Sequence, residues 1–562
     1  MTPTTDKDSG VNGINEWTVM VYFGSDGELS PLIVSQLKAI KEAGYQEKTD
    51  VLLYFDANEK GAPTRIYNVN QRRKARAAQD KKTEIGDGED PYVRNLAKDN
   101  IAPEDIDTEG KLFSGRLSKS LKSTDTTKAL DALRNFINYG RENHRAKHYM
   151  LFLVGHGMIV GNDAFLPDEA PRSAITLKEL GEALREFSDP MDAGKEAFEL
   201  LALHSCSMSA VEVAYELKGT AKYMIASEGI SFVGSFPYRQ LLKKTFKTVK
   251  EAQEDAEATG AEPVYDVETL IQKLYFLSLF NSTDFMLSGF SADLSLCNLD
   301  PTILRDFGAQ LVTLVGELKN GLRDHATREL ILLAHLESQS YWNESYTDLY
   351  DFCLRLEEGC NSRGNNGLLT LSGACRAVIN GLEKDRSNPF SKLVVFSEHF
   401  GSKYQYSHGL SVYLPWAEPV EDPNEKIIEN YGNYLFTTDF QTESNDDSWL
   451  SFLNLYFKKT IRPSRIKEDN PDPAPVGNGL NLVTFAEAAF SNVGALEHKA
   501  SGAFEGKASG AAGSACSCPS IKNYENFSIS PGAALAFSDD SDDPLPERRK
   551  RAKRHSPSQG PS

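Results

Sequence analysis

Short apolar runs alternate with amphipathic stretches along the first 245 residues, a pattern that predicts the β-α-β order of an α/β sheet. Trp17 to Phe23 reads as a first strand. Ser30 and Pro31 supply a cap and first helical residue, Ile33, Leu37 and Ile40 recur at helical spacing, and Gly44 ends that helix. A second strand follows at Val51 to Phe55. From Asn70 to Asp125 the periodicity vanishes and Lys, Arg, Asp, Gly and Gln dominate, which marks 70–125 as a flexible insertion without sheet elements. The pattern resumes with a helix facing the core through Leu130, Leu133 and Ile137.

Two largely apolar runs come next, His148 to Val154 and Phe198 to Leu203, each bounded by Gly or Ser, as in strands buried on both faces of a parallel sheet. The first leads into Gly155-His156-Gly157 and the second into His204-Ser205-Cys206-Ser207. Between them, Thr176 to Glu179 forms a capping box for a helix carrying Leu177, Leu180 and Leu184. Ser209 to Glu212 reads as a second capping box, opening a helix that Gly219 closes, and Tyr223 to Ala226 as the next strand. Residues 246–262 are acidic and Ala-rich and read as a linker or an exposed helix. A second region, 263–465, runs through amphipathic helices with short strands at Phe290 to Leu296 and Gly409 to Leu414. Residues 1–15 and most of 466–562 read as disordered.

Ligands of parallel sheets sit at the carboxyl ends of the strands, so His156 and Cys206 are expected to emerge on one edge. Either residue alone is ordinary, since a buried cysteine is usually packing and a His-Gly pair is common in turns. Together, fifty residues apart on successive strands, they fit a cysteine peptidase of caspase-like spacing. A thiolate at Cys206 would be the nucleophile, favoured by the partial positive charge of the helix opening near Ser209. His156 would protonate the leaving amine, and the N–H groups of Gly157 and Cys206 would receive the oxyanion. His204 shares a strand face with Cys206 and suits a pocket wall better than a dyad partner.

The whole chain sets bounds on this reading. At 562 residues it exceeds one core, and no stretch approaches the roughly 18 apolar residues of a membrane span. The start, Met1 to Asp8, has no apolar signal core, so a cytoplasmic location is expected. Cysteines at 206, 297, 353, 360, 375, 516 and 518 are odd in number and scattered, favouring reduced thiols; Cys516 and Cys518 lack a second ligand pair for zinc. The net charge of −19 disfavours nucleic acid, except at the basic cluster 548–554 that follows Asp539 to Asp543. No phosphate or dinucleotide fingerprint and no EF-hand loop occurs.

Trp17 to Tyr22, Leu153 to Gly157, Cys206 to Met208 with Glu212 to Leu217, Ala226 to Glu228 and His408 to Pro415 together resemble the clostripain family of clan CD cysteine peptidases over residues 16–460. The resemblance implies a caspase-like α/β/α sandwich over 16–245, a His156/Cys206 dyad, and self-cleavage around Arg172 or in the basic insertion. It also implies calcium dependence, with no resident cofactor otherwise expected. Such enzymes typically cut after Arg or Lys, yet where relatives place an acid two residues before the cysteine this chain has His204, and its loop from Gly229 to Tyr238 is apolar. A guanidinium without a carboxylate partner is costly to bury, so a neutral or apolar P1 residue is expected. The expected pocket is His204, Ser227, Glu228, Phe232 and Phe236, with Glu228 the one acid able to serve a basic P1. The leading reading is an intracellular endopeptidase performing limited proteolysis on a protein substrate, a role that in this family includes activating defence effectors. The alternatives are an Arg/Lys-specific degradative peptidase and a catalytically silent scaffold; the oligomeric state stays open.

Overall fold

The computed structural model describes residues 14–460 apart from 25–35, 38, 41, 56–64, 71–116, 121–126, 158–159, 162–163, 170–171, 189–197, 282–289, 343, 364–365, 386, 420–425 and 442–445. The Ser30-Pro31 helix start, the Cys516/Cys518 pair, the basic cluster and the 466–562 tail lie outside the described residues.

Four apolar segments form the parallel centre of a sheet: β1 (Asn15–Phe23), β2 (Thr49–Phe55), β5 (Ala146–Val154) and β8 (Phe198–His204). To one side lie β3 (Arg65–Asn68) and β4 (Leu117–Ser120), and to the other β9 (Ala221–Ala226), β10 (Ala292–Asn298) and β13 (Val394–Phe400). Among the described residues the order is β13-β10-β9-β8-β5-β1-β2-β3-β4, with β9, β8, β5, β1 and β2 mutually parallel. The insertion therefore does contribute a sheet element, β4, antiparallel to β3. A hairpin of β6 (Phe165–Glu169) and β7 (Arg172–Ile175) separates the two long central strands, and Arg172 is exposed at its start.

Both faces of the sheet are covered, which is why its strands read as continuous apolar runs. On one face α1 (Ala129–Asn143), α2 (Leu177–Ser188) and α3 (Val211–Glu216) pack with Met20, Tyr22, Leu151, Leu153, Leu201 and Leu203. On the other, α4 (Tyr238–Thr259) and α5 (Val267–Asn281) pack with Val19, Val21, Met150, Phe152, Val154, Leu200 and Ala202. The result is a three-layer α/β/α arrangement. The Thr176 capping box forms as expected: Thr176 Oγ1 accepts the Glu179 N–H at 3.1 Å and the Glu179 carboxylate accepts the Thr176 N–H at 3.0 Å.

Residues 246–262 are not a linker. They are mostly the second half of α4, where Phe246, Val249, Ala252 and Ala256 recur every three or four positions and are buried against the sheet, while the acidic residues face outward. The region 263–465 is likewise no separate body, because β10 and β13 extend the same sheet. Its helices α6 (Pro301–Gly321), α7 (His325–Glu337), α8 (Leu349–Ser362), α9 (Leu369–Leu382) and α10 (Trp449–Thr460) enlarge the core on the α1 face. A small sheet of β11 (Ser340–Tyr341), β12 (Tyr346–Asp348) and β14 (Ser411–Tyr413) runs beside them.

The packing of α4 predicts that Val249→Asp, which buries an unpaired charge, destabilises the protein by roughly 3 kcal/mol or more. Thermal melts of wild type and variant check this; an unchanged midpoint would show that 246–262 does not pack.

Candidate active site

The site is built by strand register. β5 and β8 are parallel neighbours with Val154 opposite His204, and the N–H of Gly155 donates to the His204 carbonyl at 3.4 Å. Each chain then runs two residues further, to His156 and to Cys206, so both side chains leave the sheet at the same edge and level. The contact between the two turns is close: a Cβ on Gly157 would run into the carbonyl oxygen of Cys206 and lie 2.8 Å from its carbonyl carbon and 2.9 Å from its amide nitrogen. Only glycine fits there, and its fit brings the Gly157 and Cys206 backbones into direct contact. Beyond the contact, the His156 carbonyl accepts the Leu166 N–H at 3.2 Å, which anchors the turn from the β6 side.

Past Cys206 the chain reverses sharply. Ser207 adopts φ 55°, a left-handed conformation that a non-glycine residue adopts at a cost. The turn is pinned by the Ser207 N–H donating to the Gly229 carbonyl at 3.0 Å and the Ser209 N–H to the Ser227 carbonyl at 2.9 Å. The helix expected to begin at Ser209 begins at Val211 and has six residues. No capping box forms there, because both presumed partners are engaged elsewhere: Ser209 Oγ bonds to Ser295 Oγ at 2.5 Å and to the Gly409 carbonyl at 2.7 Å. The Glu212 carboxylate accepts from the Tyr413 N–H at 2.9 Å and the Tyr431 hydroxyl at 2.8 Å. Cys206 therefore does not sit on a helix N-terminus. Its immediate polar neighbour is Ser231, whose N–H donates to Sγ at 3.3 Å and whose carbonyl lies 3.6 Å from it. The thiol is 8 % exposed, whereas His156 is half-buried, and burial lowers the His156 imidazole from 6.5 to about 4. The imidazole is thus neutral at ordinary pH and able to accept a thiol proton.

The five expected pocket residues do not line an open pocket. His204 is 3 % exposed, donates its Nε2–H to the Phe232 carbonyl (2.7 Å), accepts at Nδ1 from the Tyr238 hydroxyl (3.0 Å), and stacks on Phe236 at 4.3 Å between ring centres. Phe232 and Phe236 are buried around it, and Ser227 is buried with its hydroxyl turned to the Gly229 carbonyl. Glu228 is 1 % exposed, and its carboxylate accepts the Gly409 N–H at 3.0 Å. Burial, then the adjacent Asp348 and Asp293 carboxylates, push Glu228 well above the usual range. The physical reason is common to all five: the loop after β9 folds back under the edge and fills the space beside β8 with its large side chains. What it leaves partly exposed are Ile230, Ser231, Val233 and Gly234, none of which the sequence singled out. A polar-versus-apolar reading favours the largest rings as walls, and only the turn geometry shows that they face inward.

Asp293, Gly409 and Tyr404 also belong to the surroundings. Asp293 accepts the N–H groups of Glu228 and Gly229, and burial pushes it up to about 7. The His408 to Pro415 segment touches Glu228, Ser209 and Glu212, so its place in the family pattern reflects support of the cysteine turn. Calcium finds no group of three or more His, Cys, Asp or Glu side chains arranged to hold it among the described residues, and the carboxylates nearest the site already accept backbone N–H groups. The described cysteines 206, 297, 353, 360 and 375 are free thiols. No described helix is long and apolar enough to cross a membrane.

A three-layer α/β fold that brings a histidine and a thiol to one sheet edge is that of a cysteine endopeptidase. The model of the clostripain family, Peptidase_C11, matches residues 21–454, and the chain belongs to that family. Clostripain of Hathewaya histolytica is 21 % identical over 500 residues, covering 80 % of this chain and 89 % of the relative. An inactive zymogen C11 protease from Parabacteroides distasonis superposes with TM-score 0.47 at 18 % identity, covering 77 % of this chain and all of the other. A secreted C11 cysteine protease from Bacteroides thetaiotaomicron, solved with an irreversible peptide inhibitor, gives TM-score 0.44 at 13 % identity, covering 79 % and 99 %.

Two predictions follow from the packing at this edge. Gly157→Ala forces the two turns apart and is expected to lower kcat/KM on a peptide substrate about 100-fold or more, measured by initial rates. His204 has its folded value near 4 against 6.5 unfolded, because burial disfavours the imidazolium. As pH falls the unfolded chain takes the proton first, so this contribution is present above pH 6.5 and lost toward pH 4. Relative to His204→Phe, wild type should lose roughly 3 kcal/mol of stability between pH 7 and pH 4, read from denaturant melts across pH.

Proposed function

We propose that His156 and Cys206 are the dyad of an endopeptidase that cleaves protein substrates after a neutral or apolar P1 residue. The observation that supports the dyad is the register: Val154 opposite His204 sets both residues two steps beyond a paired rung, and Gly157 packs on the Cys206 backbone. In this reading the neutral imidazole takes the Sγ proton as sulfur attacks the scissile carbonyl. The oxyanion is received by the N–H groups of Gly157 and Cys206, and the imidazolium then protonates the leaving amine. Water, deprotonated by the same imidazole, releases the acyl group from sulfur.

The P1 preference is supported by where the acids are. Glu228, the one acid of the expected pocket, is held under the loop by the Gly409 N–H, and His204 is stacked in the core. Among the described residues, the partly exposed rim beside Ser231 is Ile230, Val233 and Gly234, which offers a guanidinium or ammonium no carboxylate. The recessed thiol further favours extended, flexible segments of a substrate, which suits limited proteolysis.

Purified wild type and Cys206→Ala are incubated with a peptide library varied at P1 and the products are read by mass spectrometry. Cuts after residues such as Ala, Leu or Phe by wild type, with the variant slower by about a thousandfold or more, are expected. Cuts mainly after Arg or Lys would overturn the P1 assignment, and cleavage by Cys206→Ala at the wild-type rate would overturn the nucleophile.

A further inference from the structure

We propose that Asp293, on β10, is a positioning residue that sets the loop from Ser227 to Ser231 against the thiol of Cys206; the catalytic consequence rests on reading Cys206 as the nucleophile. The ladder between β9 and β10 pairs Ala226 with Ser295 antiparallel, and two residues further along it Glu228 falls opposite Asp293. No further rung forms there. The Asp293 carboxylate takes the N–H of Glu228 at 2.6 Å with one oxygen and the N–H of Gly229 at 2.9 Å with the other. Two consecutive amides aimed at one side chain cannot belong to an extended strand, in which successive N–H groups point to opposite sides. The carboxylate therefore bends the chain at the end of β9 and turns it toward β8.

The contacts between this loop and the cysteine turn follow from that bend. With Gly229 tied down, its carbonyl meets the Ser207 N–H at 3.0 Å, while the Ser227 carbonyl meets the Ser209 N–H at 2.9 Å. Two residues beyond Gly229, the Ser231 N–H reaches Sγ at 3.3 Å. The strained residue Ser207 is thus held by the loop, and the loop is held by Asp293. The bend is also shaped from behind, since a Cβ on Gly229 would lie 2.5 Å from the Tyr404 ring, so the loop has no room to relax away from the thiol. Asp293 itself is fixed by strand pairing on its far side, opposite His399 of β13, and is 6 % exposed. A carboxylate at this position is needed because two donors require two acceptor oxygens, and an amide would turn an N–H₂ toward one of them.

The test combines two readouts on the full-length protein: the rate of iodoacetamide alkylation at Cys206, mapped by mass spectrometry, and kcat and KM on the best library peptide. Asp293→Asn is expected to slow alkylation at pH 7 about tenfold and lower kcat about tenfold, with KM changed less than about threefold. Asp351→Asn is the control, since Asp351 is likewise buried, accepts the Gln339 N–H at 2.8 Å and pairs with Arg355 at 3.2 Å, and bonds to no residue of the loop. It should lower the melting temperature comparably while leaving alkylation and kcat within about twofold. Equal losses in the two variants would overturn the proposal, because only stability would then be read, and so would wild-type alkylation in a folded Asp293→Asn. Should Asp293→Asn fail to fold, Ser231→Pro, which deletes the N–H that reaches Sγ, must slow alkylation by itself, and an unchanged rate overturns the proposal. Alkylation reports the hold of the loop on the thiol whether or not Cys206 is the nucleophile, and that reading is tested separately by Cys206→Ala on the peptide.

Discussion

The pairing of β5 with β8 is the constraint on which the rest of the site depends. Along β5, Leu151 and Leu153 enter one core and Met150, Phe152 and Val154 the other, and β8 divides in the same way. A one-residue slip would exchange the two sets, so burial on both faces locks the register more firmly than backbone hydrogen bonds alone. That lock carries through to the two residues beyond the last rung, His156 and Cys206, where Gly157 packs on the Cys206 backbone and no larger residue can replace it.

The edge is built from buried polar groups tied to partners far away in sequence. His204 ties the end of β8 to the Phe232 carbonyl and Tyr238, so a residue two positions before Cys206 organises the loop below it rather than lining an open pocket. Glu228, Glu212 and Ser209 spend their oxygens on the 409–413 segment. Leaving any of these unpaired would cost the desolvation of a buried acceptor. The cysteine turn is therefore held by several buried polar contacts at once, which is the kind of support a preorganised site requires.

Much of this was legible in the sequence. The central strands announced themselves as apolar runs, and the two catalytic candidates stood at their ends. What failed has physical reasons. The helix α4 passed for a linker because its buried face tapers from Phe246 and Val249 to Ala252 and Ala256, small residues that an acidic surface outweighs in composition. Ser209 and Glu212 have capping-box spacing, as do Thr176 and Glu179, yet only the latter pair caps; the difference lies in Gly409, Tyr413 and Tyr431, some 200 residues away. Phe232 and Phe236 look like pocket walls in any local reading, and only the bend after β9 shows that they fill the floor.

That bend also explains why the second half of the chain cannot be separated from the first. Without β10, strand β9 would become an edge with Tyr223, Met224, Ile225 and Ala226 unpaired, an invitation to pair with other chains. Without the 409–413 segment, Glu212 and Glu228 would be buried acceptors facing no donor from that side, and the Ser209 hydroxyl would lose the Gly409 carbonyl it donates to. A chain ending near residue 262 would keep His156, Gly157 and Cys206 and lose Asp293, the residue that bends β9, together with Gly409 and Tyr404, which brace the bend. The apparent division into a catalytic half and an accessory half is thus a division of sequence, not of structure: the second half supplies the strand, the carboxylate and the backbone groups that give the first half's cysteine its place.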